Sequence, residues 1–331
     1  MRAFLFFFLW CTTFICNGRE GFRVVFYNVE NFFDCSHDSL KSDQEFLPGG
    51  IRGWTPSRYF RKAGNIARVL AAVGEDCFPE IVGMAEVEND ACLKTLVYSS
   101  PLKNAGYSFI HEESEDIRGV DVCLLYNRYR FKMLGHQVLK ICFEGESLKK
   151  TRDVLHVWGK ASTGDSLHLF VCHFPSRLGG ETESETYRLQ VAKTIRAAVD
   201  SIFNHNPTAN ILIMGDFNDY PSNKSLSVEL NAKDPTRIEQ SLKTVYNLML
   251  PMDGVPGIGT NKHLSEWGIL DQLIVSSNLL SKTKGAHIFS PDFLLLEDDR
   301  WLGKKPFRTF NGMVYQGGYS DHLPVWLDIS F

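Results

Sequence analysis

Polar residues able to bind a cation or move a proton recur at the ends of apolar runs in this chain. Asn28 closes one run and Glu30 lies two residues on. Glu86 ends "IVGMAE" and His173 ends "LFVCH". Asp216 and Asn218 follow "ILIMG", Asp271 opens the run "DQLIVS", and Asp321-His322 precedes "LPVWL". Singly, each has an ordinary explanation: a turn asparagine, a solvated acid, a satisfied core histidine, a turn after a strand. Together they are carboxylates, amide oxygens and two histidines. Hard oxygen donors suit Mg²⁺, Mn²⁺ or Ca²⁺, whereas zinc would want more histidine or cysteine. A cation so held neutralises phosphate charge and helps to activate water. A histidine paired to an acid can stay protonated and stabilise developing negative charge.

The elements that must position these groups are legible as periodic runs. Strand signals fall at 22–29, 80–87, 119–127, 153–161, 167–174, 209–217, 269–276 and 322–330. Near-continuous apolar strands imply sheets covered on both faces. Between them, 57–74 and 184–204 place apolar residues at helical spacing: Ile66, Val69, Leu70 and Val73 in the first, Leu189, Val191, Ala192, Ile195, Val199 and Ile202 in the second. Strands alternating with helices predict an α/β fold. No linker or low-complexity segment divides the chain, so one domain is expected over 19–331. Residues 290–322 read mostly as one long loop, the kind that is usually functional or mobile.

Composition narrows the function classes. The 331 residues carry a formal net charge of -4, which does not support a basic body built for nonspecific nucleic-acid binding. The apolar run from Ala3 to about Cys16 is short for a membrane span and fits a signal peptide over 1–18. Export, periplasmic or secreted, is therefore expected, with an uncleaved membrane tether as the competing reading. Removing that segment leaves six of the eight cysteines. No C-x-x-C pair occurs, which argues against a structural zinc site. Cys123 and Cys172 fall inside strand-like runs, where a thiol behaves as a small hydrophobe.

The ordered set "NVEN", "MAEVEN", "VCHFPSR", "MGDFND", "ILDQLIVS" and "YSDHLPV" resembles the endonuclease/exonuclease/phosphatase superfamily, across residues 22 to 331. The resemblance implies a four-layer sandwich of two mixed β-sheets flanked by helices, and a metal-dependent phosphoester hydrolase. It makes Glu86 the principal metal-binding glutamate, helped by Asn28 and Asp321. Glu30 stands where only part of the family carries an acid, which gives it the place of an outer ligand. Asp216 is similar to the residue that orients or deprotonates the attacking water, and Asn218 to one that holds that water or a phosphate oxygen. His322, oriented by Asp271, matches the histidine that stabilises the transition state. His173 matches a second histidine, near the leaving group.

Arg118 and Arg177 flank predicted strand ends, where bidentate guanidinium bonds could grip a phosphate. Asp219 has no such match and reads as a turn residue. The expected partner is a phosphodiester, nucleic acid foremost, and the expected state a monomer. Within the family, inositol-polyphosphate phosphatases carry Cys-Asp-Arg where this chain has "ILDQLIV", which counts against them. A sphingomyelinase-like enzyme would want an exposed aromatic hairpin, and "DRWLGKKPFRTF" (299–310) offers Trp301, Phe307 and Phe310. A non-catalytic binding protein on the same fold would be signalled by a lost acid, and none is missing.

Overall fold

The computed structural model describes residues 21–143, 150–237 and 241–331. The signal-like segment at 1–18 lies outside the described residues. The first sheet has six strands: β1 (Phe22–Phe32), β2 (Ile81–Val87), β3 (Tyr107–His111), β4 (Asp121–Asn127), β14 (His287–Ile288) and β19 (Val325–Ile329). Their spatial order is β14-β19-β1-β2-β4-β3. The second has seven: β5 (Phe131–Leu139), β6 (Val154–Ala161), β7 (Ser166–His173), β8 (Ile211–Asp216), β9 (Ala232–Lys233), β10 (Val245–Asn247) and β13 (Asp271–Ser276). These run in the order β5-β6-β7-β8-β13-β10-β9. Both sheets are mixed. A parallel pair, β1/β2 in one and β7/β8 in the other, is flanked by antiparallel neighbours.

Alternation along the strands builds three cores and hence four layers. Val24 and Phe26 of β1, Leu169 and Val171 of β7, Leu212 and Met214 of β8, and Leu273 and Val275 of β13 all pack between the sheets. The intervening residues point outward. Val25 and Tyr27 meet helix α1 (Pro56–Gly74), and Ile211 and Ile213 meet the long helix α3 (Glu181–His205). Thr55 caps α1 with Pro56 just inside its start. Two short helices, α2 (Asp90–Lys94) and α4 (Ser277–Leu280), complete the set. Among the described residues no helix is long and apolar enough to cross a membrane. Cys123 and Cys172 are buried free thiols in the strand interiors.

The stretch 290–322 departs from a plain loop. It folds into two hairpins, β15–β16 (Leu295–Glu297 with Lys304–Pro306) and β17–β18 (Phe310–Asn311 with Val314–Tyr315). A further hairpin, β11–β12 (Asn261–His263 with Glu266–Gly268), precedes β13. Two- and three-residue strands have too little periodicity to be read in advance. β3 and β5 likewise give no strand signal; β5 carries glycine and polar residues, and all but one of its residues are exposed or half-buried.

Parity fixes where the polar strand ends lie. Asn28 shares a face with Val24 and Phe26, His173 with Val171, Asp216 with Met214, and Asp271 with Leu273. All four therefore emerge from the inner faces at one end of the sandwich. Gly215, one residue before Asp216, allows the close strand approach: a Cβ there would lie 2.4 Å from the Cys172 backbone oxygen. Because that oxygen belongs to a hydrogen-bonded neighbouring strand, it cannot give way cheaply. Gly215→Ala should destabilise the fold by about 1–3 kcal/mol through overpacking. Leu178→Ala, at a side chain 91% exposed, should leave it unchanged. Urea denaturation midpoints of the two variants check this.

Candidate active site

Asp216 ends β8 with a strand end on either side. Its register partners are His173 on β7 and Asp271 on β13. Oδ2 accepts from Asn28 Nδ2 at 3.0 Å, across from the first sheet, and Oδ1 accepts from the Asn218 backbone N–H at 2.9 Å. Burial pushes this carboxyl up to about 7; His322 pulls it down and Asp271 adds to the rise.

His322 lies at the other end of the same network. Its Nδ1 sits 2.7 Å from Asp271 Oδ2, and its Nε2 faces Asp216 Oδ2 at 3.7 Å. Burial opposes the charged ring, yet Asp271 and then Asp216 overcome it and hold His322 well above the ordinary histidine range. Thr260 anchors the partner acid, accepting the Asp271 backbone N–H on Oγ1 at 3.0 Å. Ser320 ties the loop before β19 to the end of β1 at this point. Its hydroxyl donates to the Asn28 carbonyl at 2.7 Å and accepts from the His322 backbone N–H at 3.0 Å.

His173 is held in the opposite protonation state. Burial, followed by Arg152, Arg118 and His322, pushes its ring well below the ordinary range. Its Nε2 stands 3.6 Å from Asp216 Oδ2 and 4.0 Å from Glu86 Oε1. Its buried Nδ1 has no hydrogen-bond partner among the described residues. Two histidines driven apart by their surroundings are what acid and base roles need.

Glu86 reaches this group only because β2 is irregular. An unbroken strand would send it outward with Met84, but a bulge falls between Ala85 and Val87 and Glu86 takes a φ of 66°. The neighbouring β1 is irregular at the same level, between Asn28 and Phe32, with Glu30 and Asn31 at φ of 53° and 55°. Non-glycine residues rarely adopt this conformation. Glu86 Oε2 accepts the Asn31 N–H at 2.9 Å, and Oε1 is the oxygen that faces His173.

The remaining expected residues divide. Asp321 Oδ2 accepts from Arg308 Nη2 at 2.8 Å. Glu30 turns both oxygens to the loop after β16, taking the Thr309 N–H at 2.6 Å and, more loosely, the Phe310 N–H and Arg308. Burial, then Asp321, pushes its carboxyl up to about 7. Asn218 donates its side-chain amide to the Phe174 carbonyl at 3.0 Å. Arg118 is half-exposed at the rim, with Nε 3.7 Å from Asp116. Arg177 does not project freely: its Nε donates to the Asn218 carbonyl at 2.7 Å, and its guanidinium lies over Tyr220. Asp219 is more than a turn residue, which corrects the expectation. It is the buried counter-ion of Arg188 at 2.7 Å and accepts from Ser225 Oγ at 2.6 Å.

Three neighbours were not foreseen. Arg152 is buried, bonded to Asp116 and to the Phe174 carbonyl. Arg308 bridges Asp321 and Glu30. Lys62 is buried on α1, its ammonium on Thr309 Oγ1 and the Tyr319 carbonyl. Burial lowers its pKa to about 8, against the pull of Glu30, Asp321 and Glu86. Lys62 did leave a signal. It occupies the apolar stripe of α1, between Tyr59 and Ile66.

The donor chemistry fits a hard divalent cation. Glu86, Asn28 and Asp321, with Glu30 behind them, offer only oxygen, and Lys62 and Arg308 both lie within electrostatic reach of Glu30, Glu86 and Asp321. A different group, Asp216, Asp271 and His322, is the one whose ligand atoms lie within 4.8 Å of one another among the described residues. There the imidazole Nδ1 is already committed to Asp271, so this trio reads as a proton network. Asp271→Asn should remove the charge that keeps His322 protonated. The imidazole should then titrate at lower pH than in the wild type, followed by nitrogen NMR of the ring. Stability linked to the pair is full below the unfolded histidine value of about 6.5 and lost as pH rises through the folded one. Asp271→Asn should flatten that loss.

Comparison with known proteins bears on this geometry. A family model described as "Endonuclease/Exonuclease/phosphatase family" matches residues 23–330. No curated protein matches the chain. Among solved structures, the catalytic domain of human Nocturnin with bound sulfate aligns with a TM-score of 0.57 at 17% identity, covering 95% of each chain. The mannosyl-6-phosphatase Bt3783 of Bacteroides thetaiotaomicron gives 0.56 at 15%, covering 93% of this chain and 99% of that one. TDP2 of D. rerio, complexed with a single-strand DNA product, gives 0.56 at 14%, covering 94% and 99%. At such identities the likeness is one of fold.

Proposed function

Because the chain belongs to the endonuclease/exonuclease/phosphatase family, whose members are metal-dependent phosphoester hydrolases, we propose that it is an exported phosphodiesterase of endonuclease type. The observation that carries the site assignment is the placement of Asp216. It is buried between His173 and Asp271 in register, bonded to Asn28 and faced by His322. A phosphodiester, nucleic acid foremost, is the proposed substrate, and TDP2 with its DNA product occupies the same fold. Export rests on the apolar run from Ala3 to Cys16.

Glu86, Asn28 and Asp321 would hold the cation, with Glu30 behind them. Bound there, Mg²⁺ or Mn²⁺ supplies charge neutralisation at the phosphate and polarises its oxygen. Asp216, with a carboxyl raised towards neutrality, orients the attacking water and takes its proton. Asn218 fixes Asp216 through its backbone N–H and offers its side-chain oxygen to the same water. The water oxygen attacks phosphorus in line while the bond to the leaving oxygen breaks. His322, protonated against Asp271, donates to the phosphoryl oxygen where charge develops. His173, neutral, stands near the leaving oxygen as a hydrogen-bonding group. Arg118 at the rim grips the phosphate, and Arg177 braces the Asn218 turn.

A phospholipase reading has one specific observation behind it. Of the expected aromatics, Phe310 is buried and Phe307 packs against the core, but the β15–β16 hairpin carries Trp301 and an exposed Leu302 at its tip, beside Arg300, Lys304 and Lys305. One substrate panel separates the readings: DNA, RNA, bis(p-nitrophenyl) phosphate, p-nitrophenyl phosphate and sphingomyelin vesicles, each with Mg²⁺, Mn²⁺ or Ca²⁺. Diester cleavage that EDTA abolishes and Mg²⁺ or Mn²⁺ restores is the expected result. Phosphocholine release from the vesicles alone would move the assignment to the phospholipase, and inert substrates throughout would sink both. Glu86→Gln should weaken Mn²⁺ binding by more than the roughly 10- to 100-fold that losing a residue bonded to a metal ligand costs, measured by calorimetry.

A further inference from the structure

Among the described residues, Arg308 is the one half-exposed cation paired with Glu30 and Asp321. Its side chain is 43% exposed, with Nη2 2.8 Å from Asp321 Oδ2 and Nε 3.5 Å from Glu30 Oε1. Among the described residues its Nη1 makes no hydrogen bond. Lys62 faces the same acids but is fixed. It is 1% exposed and holds Thr309 and the Tyr319 carbonyl with its ammonium. Glu30, Glu86 and Asp321 are thus already faced by Lys62 and Arg308, with Arg152 acting on Glu86 and His322 on Asp321 as well.

Adding a divalent cation to acids that these cations already face would crowd like charges together. Like charges a few ångströms apart repel strongly even at an intermediate dielectric. One cation must find another anion, and only Arg308 has both the exposure and the length to do so. Resting on the proposed phosphoesterase reading, we infer that Arg308 is a phosphate ligand of this site. It pairs with Asp321 and Glu30, and with a cation held by those acids it would turn to the substrate phosphate. The planar fork suits it to the task, because it can give two parallel N–H bonds to one phosphate.

The test is equilibrium binding rather than turnover. Mn²⁺ alone, then inorganic phosphate at saturating Mn²⁺, would be titrated by calorimetry into the wild type, Arg308→Met and Arg308→Lys. The inference expects Arg308→Met to bind Mn²⁺ at least as tightly as the wild type, since a competing cation is gone, and to bind phosphate about tenfold more weakly or worse. Arg308→Lys should recover only part of the phosphate affinity, because a point charge replaces a fork. Phosphate binding unchanged in Arg308→Met overturns the inference and leaves the hydrolase reading standing. Loss of Mn²⁺ binding in Arg308→Met with Arg308→Lys intact also overturns it, since Arg308 would then be a scaffold for the acids. A wild type that takes up neither Mn²⁺ nor phosphate defeats the functional reading itself.

Discussion

Asp216 is a carboxylate with 1% of its surface exposed, and the site is arranged around the cost of keeping it there. A buried acid is tolerated only with donors or opposite charge close by. Here the donors come from three directions. The opposite sheet sends Asn28, the following turn sends the Asn218 N–H, and the last loop sends His322. Each donor ties a separate part of the chain to one point. Burying this group thus sets the relative position of both sheets at the functional end.

The same burial sorts the two histidines. Both are enclosed, and enclosure alone would make both neutral. Asp271, 2.7 Å from His322, reverses that outcome for one ring only. His173 has no acid that close and instead feels Arg152 and Arg118. One sandwich end therefore offers a charged donor and a neutral ring within 4 Å of one carboxylate. The proposed cation site uses different means. Bulges in β1 and β2 at one level turn Glu86 inward, at residues whose backbone lies in a sparsely populated region. Strain of this sort persists only where the surrounding structure over-determines it, and the Asn31 N–H bond to Glu86 is part of that surrounding.

Much of this was legible beforehand, for physical reasons. Period-two alternation places Asn28, His173, Asp216 and Asp271 on the inner faces once the neighbouring apolar residues are assigned to the core. Helices α1 and α3 followed from their stripes to within a few residues. The bulge at Glu86 was not legible, since one extra residue leaves no periodic trace. Nor were the short hairpins of 290–322, where context rather than pattern decides. Arg188 and Lys62 were missed for another reason. A charged residue in an apolar helical stripe signals a buried partner, but the partners Asp219, Thr309 and Tyr319 lie far off in sequence.

Asp216 and His322 are assigned to one transition state, and this can be measured directly. Hydrolysis rates of a phosphodiester with saturating Mg²⁺ would be compared for Asp216→Asn, His322→Ala and the double variant. Residues that act as a unit give grossly non-additive losses. Each single variant should lose most of the activity, and the double should lose little more than either. Losses that multiply, or a single variant that keeps wild-type turnover, would contradict the assignment.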